Sequence, residues 1–104
     1  MKITIVDRQA LFHVATKAKA YDKLLLCLAR YESRIDRVRL RVADINGPRN
    51  GRQYEAILSV SLNKLPSVHV TWKDDRLSKC ISKVCDRANR SIGRQLEKSR
   101  ELLH

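Results

Sequence analysis

Residues 34–51 read RIDRVRLRVADINGPRNG. Within them Arg37, Arg39 and Arg41 alternate with Val38, Leu40 and Val42, and the run closes in a turn rich in glycine, proline and asparagine. A strand points successive side chains to opposite faces, so the two-residue repeat marks a half-buried strand from about Asp36 to Ile45, apolar on one side and cationic on the other. Glycine and proline together in NGPRNG end it.

Downstream, residues 53–62 (QYEAILSVSL) alternate again, with Tyr54, Ala56, Leu58, Val60 and Leu62 on the apolar side. After an NKLP turn, residues 67–73 (SVHVTWK) set Val68, Val70 and Trp72 against His69, Thr71 and Lys73. Asp74 and Asp75 are N-cap candidates for a closing helix over about Arg76–Glu101, where acid complements the positive end of the helix dipole. Its apolar face is Leu77, Ile81, Val84, Cys85, Ala88, Ile92 and Leu96. At 100° per residue Lys79, Lys83, Arg87, Arg90, Arg94 and Lys98 fall within an arc of about 100° on the far side.

Upstream, residues 2–7 (KITIVD) read as a short strand. A helix is expected from about Ala15 to Ser33, with Asp7, His13 or Thr16 at its start and Ala15, Ala18, Leu25, Leu26 and Ala29 on one side. Lys19, Lys23, Arg30 and Arg34 follow at spacings of four, seven and four as a second basic stripe. The order is β-α-β-β-β-α. A helix between the first two strands implies a parallel pair, and the short turns that follow imply antiparallel hairpins. The expected fold is α+β in two layers, a four-stranded mixed sheet with both helices packed on one face and Arg37, Arg39 and Arg41 on the other.

At 104 residues the chain is expected to be a single domain spanning 1–104, able to bury roughly two thirds of the surface its unfolded form exposes. The longest apolar run, LLLCLA, is six residues, against the roughly 20 of a membrane span. MKITIVDRQ is too short and too polar for a secretory signal, so a cytoplasmic protein is expected. Three cysteines, none in a C-x-x-C pair, read as free thiols. Against 11 Asp and Glu stand 22 Lys and Arg, a net charge of +11. Such an excess repels itself unless a partner neutralises it, and nucleic acid is the commonest partner, ahead of anionic membrane.

The stretches RYESRIDRVRLRVADINGPRNG and DRANRSIGRQLEKSR carry a resemblance. The chain resembles the ribosome hibernation promoting factors, also called ribosome-associated inhibitors or sigma-54 modulation proteins, in their short single-domain form. The family ends its first helix with an aromatic residue and an isoleucine close together, as Tyr31 and Ile35 stand here. It continues into a D-[VI]-N-G-P-R-G-G turn, matched by Asp44 through Gly51, then a leucine-proline turn at Leu65 and Pro66. Its closing helix L-x-x-A-I-D-x-A-A-D-R is approximated by Leu77, Ile81, Val84, Cys85, Asp86 and Arg87. The resemblance runs from Leu24 to the end and is weak upstream. Asn50 replaces a glycine, Gln53, Tyr54 and Glu55 depart from the usual sequence, and Arg76 takes the place of an aspartate. The resemblance implies the same β-α-β-β-β-α fold, no enzymatic activity and no C-terminal dimerisation domain. It also implies a seat on small-subunit (16S) ribosomal RNA between head and body, where messenger and transfer RNA lie, so that translation is silenced under stress or in stationary phase.

The residues themselves suit an RNA surface. Arginine forks bidentately onto phosphate and stacks on bases. Three basic surfaces in one small domain exceed what solubility requires. Tyr31 is a candidate base-stacking platform, whereas Tyr54 and Trp72 share the apolar side and are expected in the core. His13, His69 and His104, with Cys80 and Cys85, lack tetrahedral metal spacing, and no nucleophile has a base and orienter beside it. No metal, cofactor, small-molecule substrate or membrane partner is expected, and the free chain is expected to be a monomer. The expected RNA-binding set is Lys79, Lys83, Arg87, Arg90, Arg94, Lys98, Lys19, Lys23, Arg30, Arg34, Arg37, Arg39 and Arg41. A double-stranded RNA binder and a protein-interaction regulator are the alternatives.

Overall fold

The computed structural model describes residues 1–47 and 51–103, with side-chain surroundings through residue 100. The order is β1 (Lys2–Val6), α1 (Val14–Leu28), a 3-10 segment (Ala29–Arg34), β2 (Ile35–Asp44), β3 (Tyr54–Leu62), β4 (Val68–Asp74) and α2 (Leu77–Leu103). Along the sheet the strands stand in the order β1-β2-β3-β4, an α+β arrangement. β1 runs parallel to β2 and the other two pairings are antiparallel, as the crossover helix and short hairpin turns require.

Alternation decides which side of the sheet is buried. Val38 pairs with Val60, Leu40 with Leu58 and Val42 with Ala56, and β4 continues these rows with Val68, Val70 and Trp72. Ala56, Leu58, Val60 and Leu40 are fully buried. On the opposite face Arg37 pairs with Ser61, Arg39 with Ser59 and Arg41 with Ile57. All three arginines are exposed there.

α2 lies across β3 and β4, burying Cys80, Ile81, Val84, Cys85, Ala88 and Ile92. Its start is held from two residues upstream. Asp74 Oδ1 accepts from the Arg76 amide at 3.4 Å, and the Arg76 carbonyl accepts the first helical bond from Cys80 N at 3.2 Å. The Asp74 carboxyl lies below the usual carboxylate range because it accepts from Asp75, and then because the Trp72 indole and the Arg76 amide donate to it. Asp75, the nearer candidate cap, is exposed.

α1 rests mainly on α2 and corrects one expectation. Its buried residues are Ala20, Leu24 and Leu28, a strict four-residue row, whereas Leu26 is 81% exposed and Val14 90%. Ala15, Ala18, Leu25 and Ala29 are exposed as well. In LLLCLA several rows of leucine compete, and the row that also carries Ala20 lets the helices approach closely. The helix starts after His13, which offers no side-chain cap. The preceding loop is instead organised by Asp7, whose carboxylate accepts from the Leu11 amide at 2.8 Å and the Phe12 amide at 2.9 Å. At the other end α-geometry stops at Leu28, and the 3-10 segment brings the Tyr31 hydroxyl against Gly93 of α2. A Cβ at Gly93 would lie 3.1 Å from that oxygen, so the small residue is what lets the segment close on the helix.

In the β2–β3 turn, Pro48, Arg49 and Asn50 lie outside the described residues. The flanking Gly47 and Gly51 have φ of +72° and +75°, left-handed geometry that favours glycine. Ile45 N still donates to Gln53 O at 2.8 Å, so pairing continues past the strand ends.

Candidate nucleic-acid interface

The thirteen cations expected to face RNA fall into three groups. The first is the solvent arc of α2. Helical rotation divides α2 into a sector packed on the sheet, a sector packed on α1 through Ser82, Cys85 and Asn89, and a remaining arc. Lys79, Lys83, Arg87, Arg90, Arg94 and Lys98 occupy this arc and are all exposed. Two ladders at four-residue spacing result, 79-83-87 and 90-94-98, in which each like-charged neighbour costs about 0.2–0.5 kcal/mol in an isolated helix. Lys79 is drawn electrostatically to Asp74 at the start of the helix, and among the described residues no acid forms an ion pair with any of the six. Among the described residues the one ion pair is Lys73 with Glu55, at 3.9 Å on the outer face of the sheet.

The arc meets the edge of the sheet at β4. Lys83 Nζ stands 5.4 Å and the Arg87 guanidinium carbon 4.9 Å from the centre of the Trp72 ring. The ring's negative face holds the two cations in place at a contribution of about 0.5–1 kcal/mol each for exposed pairs. Beside them Arg87, Arg90, Ser91 and Arg94 line a cleft of about 230 Å³ floored by Val70. Three guanidinium groups and one hydroxyl around a small cleft can donate several hydrogen bonds to a phosphodiester.

The second group is the outer sheet face. Arg37 and Arg39 line a notch there with Lys2 and Thr4, because the parallel register sets Lys2 beside Arg37 and Thr4 beside Arg39. On the same face Ser59 lies between Arg39 and His69, whose Nδ1 is 3.0 Å from Ser59 Oγ. β2 and β4 are two strand spacings apart, about 10 Å.

The third group departs from its expected form. Lys19, Lys23, Arg30 and Arg34 do not make one stripe, since α-geometry ends before Arg30. Lys19 and Lys23 line the groove between the helices, and Lys23 Nζ donates to Ser82 Oγ at 2.6 Å. Ser82 is roughly 100–140° around the helix from Lys83, Arg87 and Arg94, so the two basic groups face different directions. The Arg30 guanidinium stands 5.4 Å from the Tyr31 ring.

The aromatic residues are largely engaged. Tyr54 is buried, and Tyr31 is half-buried against the core with Arg30 over its ring, which leaves it a poor platform for a base. Trp72, half-buried, donates Nε1–H to Asp74 Oδ2 at 3.3 Å beneath Lys83 and Arg87.

Sequence reading passed over Lys2, Thr4 and Ser91. Ser91 had a signal, since it lies one turn beyond Arg87 in the helix. Lys2 and Thr4 had none, because the register of a parallel crossover is not written locally. Among the described residues no three His, Cys, Asp or Glu side chains gather as a metal-binding set, and no helix is long and apolar enough to cross a membrane. His104 lies outside the described residues. No family model matches the chain, and neither does any curated protein.

Proposed function

We propose that this protein is a ribosome hibernation factor that binds small-subunit ribosomal RNA in the channel used by messenger and transfer RNA and inhibits translation by occupying it. The observation that carries this reading is the α2 arc: six exposed cations, two of them held over Trp72, with no acid of the chain in ion-pair contact among the described residues. Cations without ion-pair partners and set in mutual repulsion favour an external polyanion. Arg37, Arg39 and Arg41 on the far side of the sheet favour a partner that presents phosphates on more than one side, as the walls of a folded RNA channel do and one duplex does not. The resemblance of residues 24–104 to the hibernation factors supplies the particular RNA. No chemical step is involved, and recognition rests on backbone charge and shape rather than base edges.

The test is co-sedimentation of the protein with purified small ribosomal subunits over a salt series, alongside a translation assay and a free RNA duplex as competitor. Expected are binding that weakens steeply with salt, displacement by messenger and transfer RNA, and loss of translation. A preference for the free duplex would turn the reading to a double-stranded RNA binder. Salt-insensitive capture of a protein partner would overturn RNA binding altogether.

A further inference from the structure

The seam between α1 and α2 holds two cysteines face to face. Cys27 Sγ donates to the Cys85 carbonyl oxygen at 3.2 Å, which sets the two residues against each other across the seam. Asn89 fixes the arrangement, its Nδ2 donating to the Cys27 carbonyl and lying 3.8 Å from Cys27 Sγ. The two differ sharply in access. Cys27 is half-buried and lines an open cleft with Lys19, Asp22, Lys23 and Leu26, whereas Cys85 is 1% exposed. Cys80 takes no part, being buried with its thiol 3.5 Å from the Tyr54 carbonyl.

We propose that Cys27 and Cys85 form a dithiol site that a hydroperoxide oxidises to a disulfide joining α1 to α2. The roles follow from placement. Cys27 is the attacking sulfur, because it alone of the pair reaches an open cleft. Its thiolate is favoured first by the hydrogen bond from Cys85, against the cost of burial, then by the Asn89 amide; Lys23 also favours it and Asp86 opposes it. The same hydrogen bond and its own burial push the Cys85 thiol up, so Cys85 stays protonated until it resolves the intermediate.

In the first step the Cys27 thiolate attacks the hydroperoxide. An S–O bond forms, the O–O bond breaks, and the departing alkoxide, or hydroxide from hydrogen peroxide, takes up a proton. Cys27 is then a sulfenic acid, oxidised by two electrons. In the second step Cys85 sulfur attacks Cys27 sulfur, the S–S bond forms, the S–O bond breaks, and hydroxide leaves with the Cys85 proton as water. Two thiols and one hydroperoxide thus give one disulfide, one alcohol and one water. The chemistry is independent of whether the protein binds RNA.

The experiment treats the full chain with hydrogen peroxide and maps the product by peptide mass spectrometry. The expected product is a monomer lighter by two hydrogens, containing a Cys27–Cys85 cross-linked peptide and reverting with dithiothreitol. Cys80→Ser retains the cross-link. Cys85→Ala stops at a Cys27 sulfenic acid that dimedone traps, and Cys27→Ser loses both products. The wild-type map needs no variant to fold, so it decides the matter on its own. Over-oxidation of Cys27 without a cross-link, a cross-link that includes Cys80, or only intermolecular dimers would overturn the proposal.

Discussion

Replacing Lys83, Arg87, Arg90 and Arg94 by glutamine removes four positive charges from the α2 arc and leaves every buried side chain in place. Each phosphate neutralised contributes roughly 0.7 log units of affinity per log unit of salt on single strands and roughly 0.9 on duplex. If each of the four meets a phosphate, the salt dependence of binding to small ribosomal subunits becomes shallower by about 2.8 to 3.6. Between about 50 and 200 mM salt the variant then loses roughly 50- to 150-fold less affinity than the wild type, having started far weaker at low salt. The assay is co-sedimentation at several salt concentrations, with circular dichroism to confirm that α2 survives. Loss of the Trp72 contacts of Lys83 and Arg87 costs about 1–2 kcal/mol in total, and relief of the like-charged pairs 79–83, 83–87, 90–94 and 94–98 returns about 0.8–2 kcal/mol, so the melting temperature is expected to stay nearly unchanged. An Arg37/Arg39/Arg41→Gln variant provides the comparison from the other face of the sheet. Parallel slopes for wild type and the α2 variant, at equal helical content, would refute the assignment of this arc to phosphate.

Leu24→Ala, in the buried row of α1, is expected to cost about 2–5 kcal/mol in urea unfolding. Leu26→Ala, two residues along and 81% exposed, is expected to cost less than about 0.5 kcal/mol; equal costs would mean that the helix packs on another face. Asp7→Ala deprives the Leu11 and Phe12 amides of their acceptor and is expected to lower stability by about 1–3 kcal/mol, so an unchanged midpoint would show that Asp7 does not organise the loop. Gly93→Ala gains roughly 1 kcal/mol of helix propensity but crowds the Tyr31 hydroxyl, so it is expected to be more stabilising in a Tyr31→Phe background than alone; additivity of the two changes would contradict the contact. The Cys27 thiol is lowered from 9.0 to about 7, so the folded state releases its proton first and Cys27 adds stability as pH rises from about 7 toward 9. That contribution is lost as pH falls through about 7, whereas Cys85, raised, favours unfolding above pH 9. Unfolding midpoints of wild type and Cys27→Ser at both ends of this window should therefore diverge at the alkaline end, and a constant difference between them would contradict the shift.

The parts of this fold that could be read from the chain are those where one periodicity has no competitor. β3, β4 and β2 from Arg37 onward each alternate, and the register observed between them pairs the apolar residues row by row, with one irregularity between Ile35 and Arg37. α2 was legible for the same reason, although Cys80 joins its buried face and a run of apolar positions did not include it. α1 was not legible in this sense. Consecutive leucines in LLLCLA satisfy more than one helical face, and the choice among them depends on how closely α2 approaches, a fact of tertiary structure. Its end was hidden likewise, because Tyr31 closing on Gly93 draws the chain into 3-10 geometry and carries Arg30 and Arg34 off the α-helical arc. For the candidate interface, the cations of α2 and β2 stand where patterning put them. Lys23 does not, since a serine 59 residues away in the chain takes its ammonium. Local spacing places a side chain on a face but does not say what the fold sets opposite it.

The indole beneath Lys83 and Arg87 is the only one in the chain. Its emission therefore originates at the spot where a polyanion would compete for those two side chains. An arriving phosphate that lifts either cation off the ring changes the electric field on the fluorophore without any label having been introduced. The protein thus carries its own optical gauge of occupancy, read by titration in the cuvette and insensitive to events at the distant β1 edge.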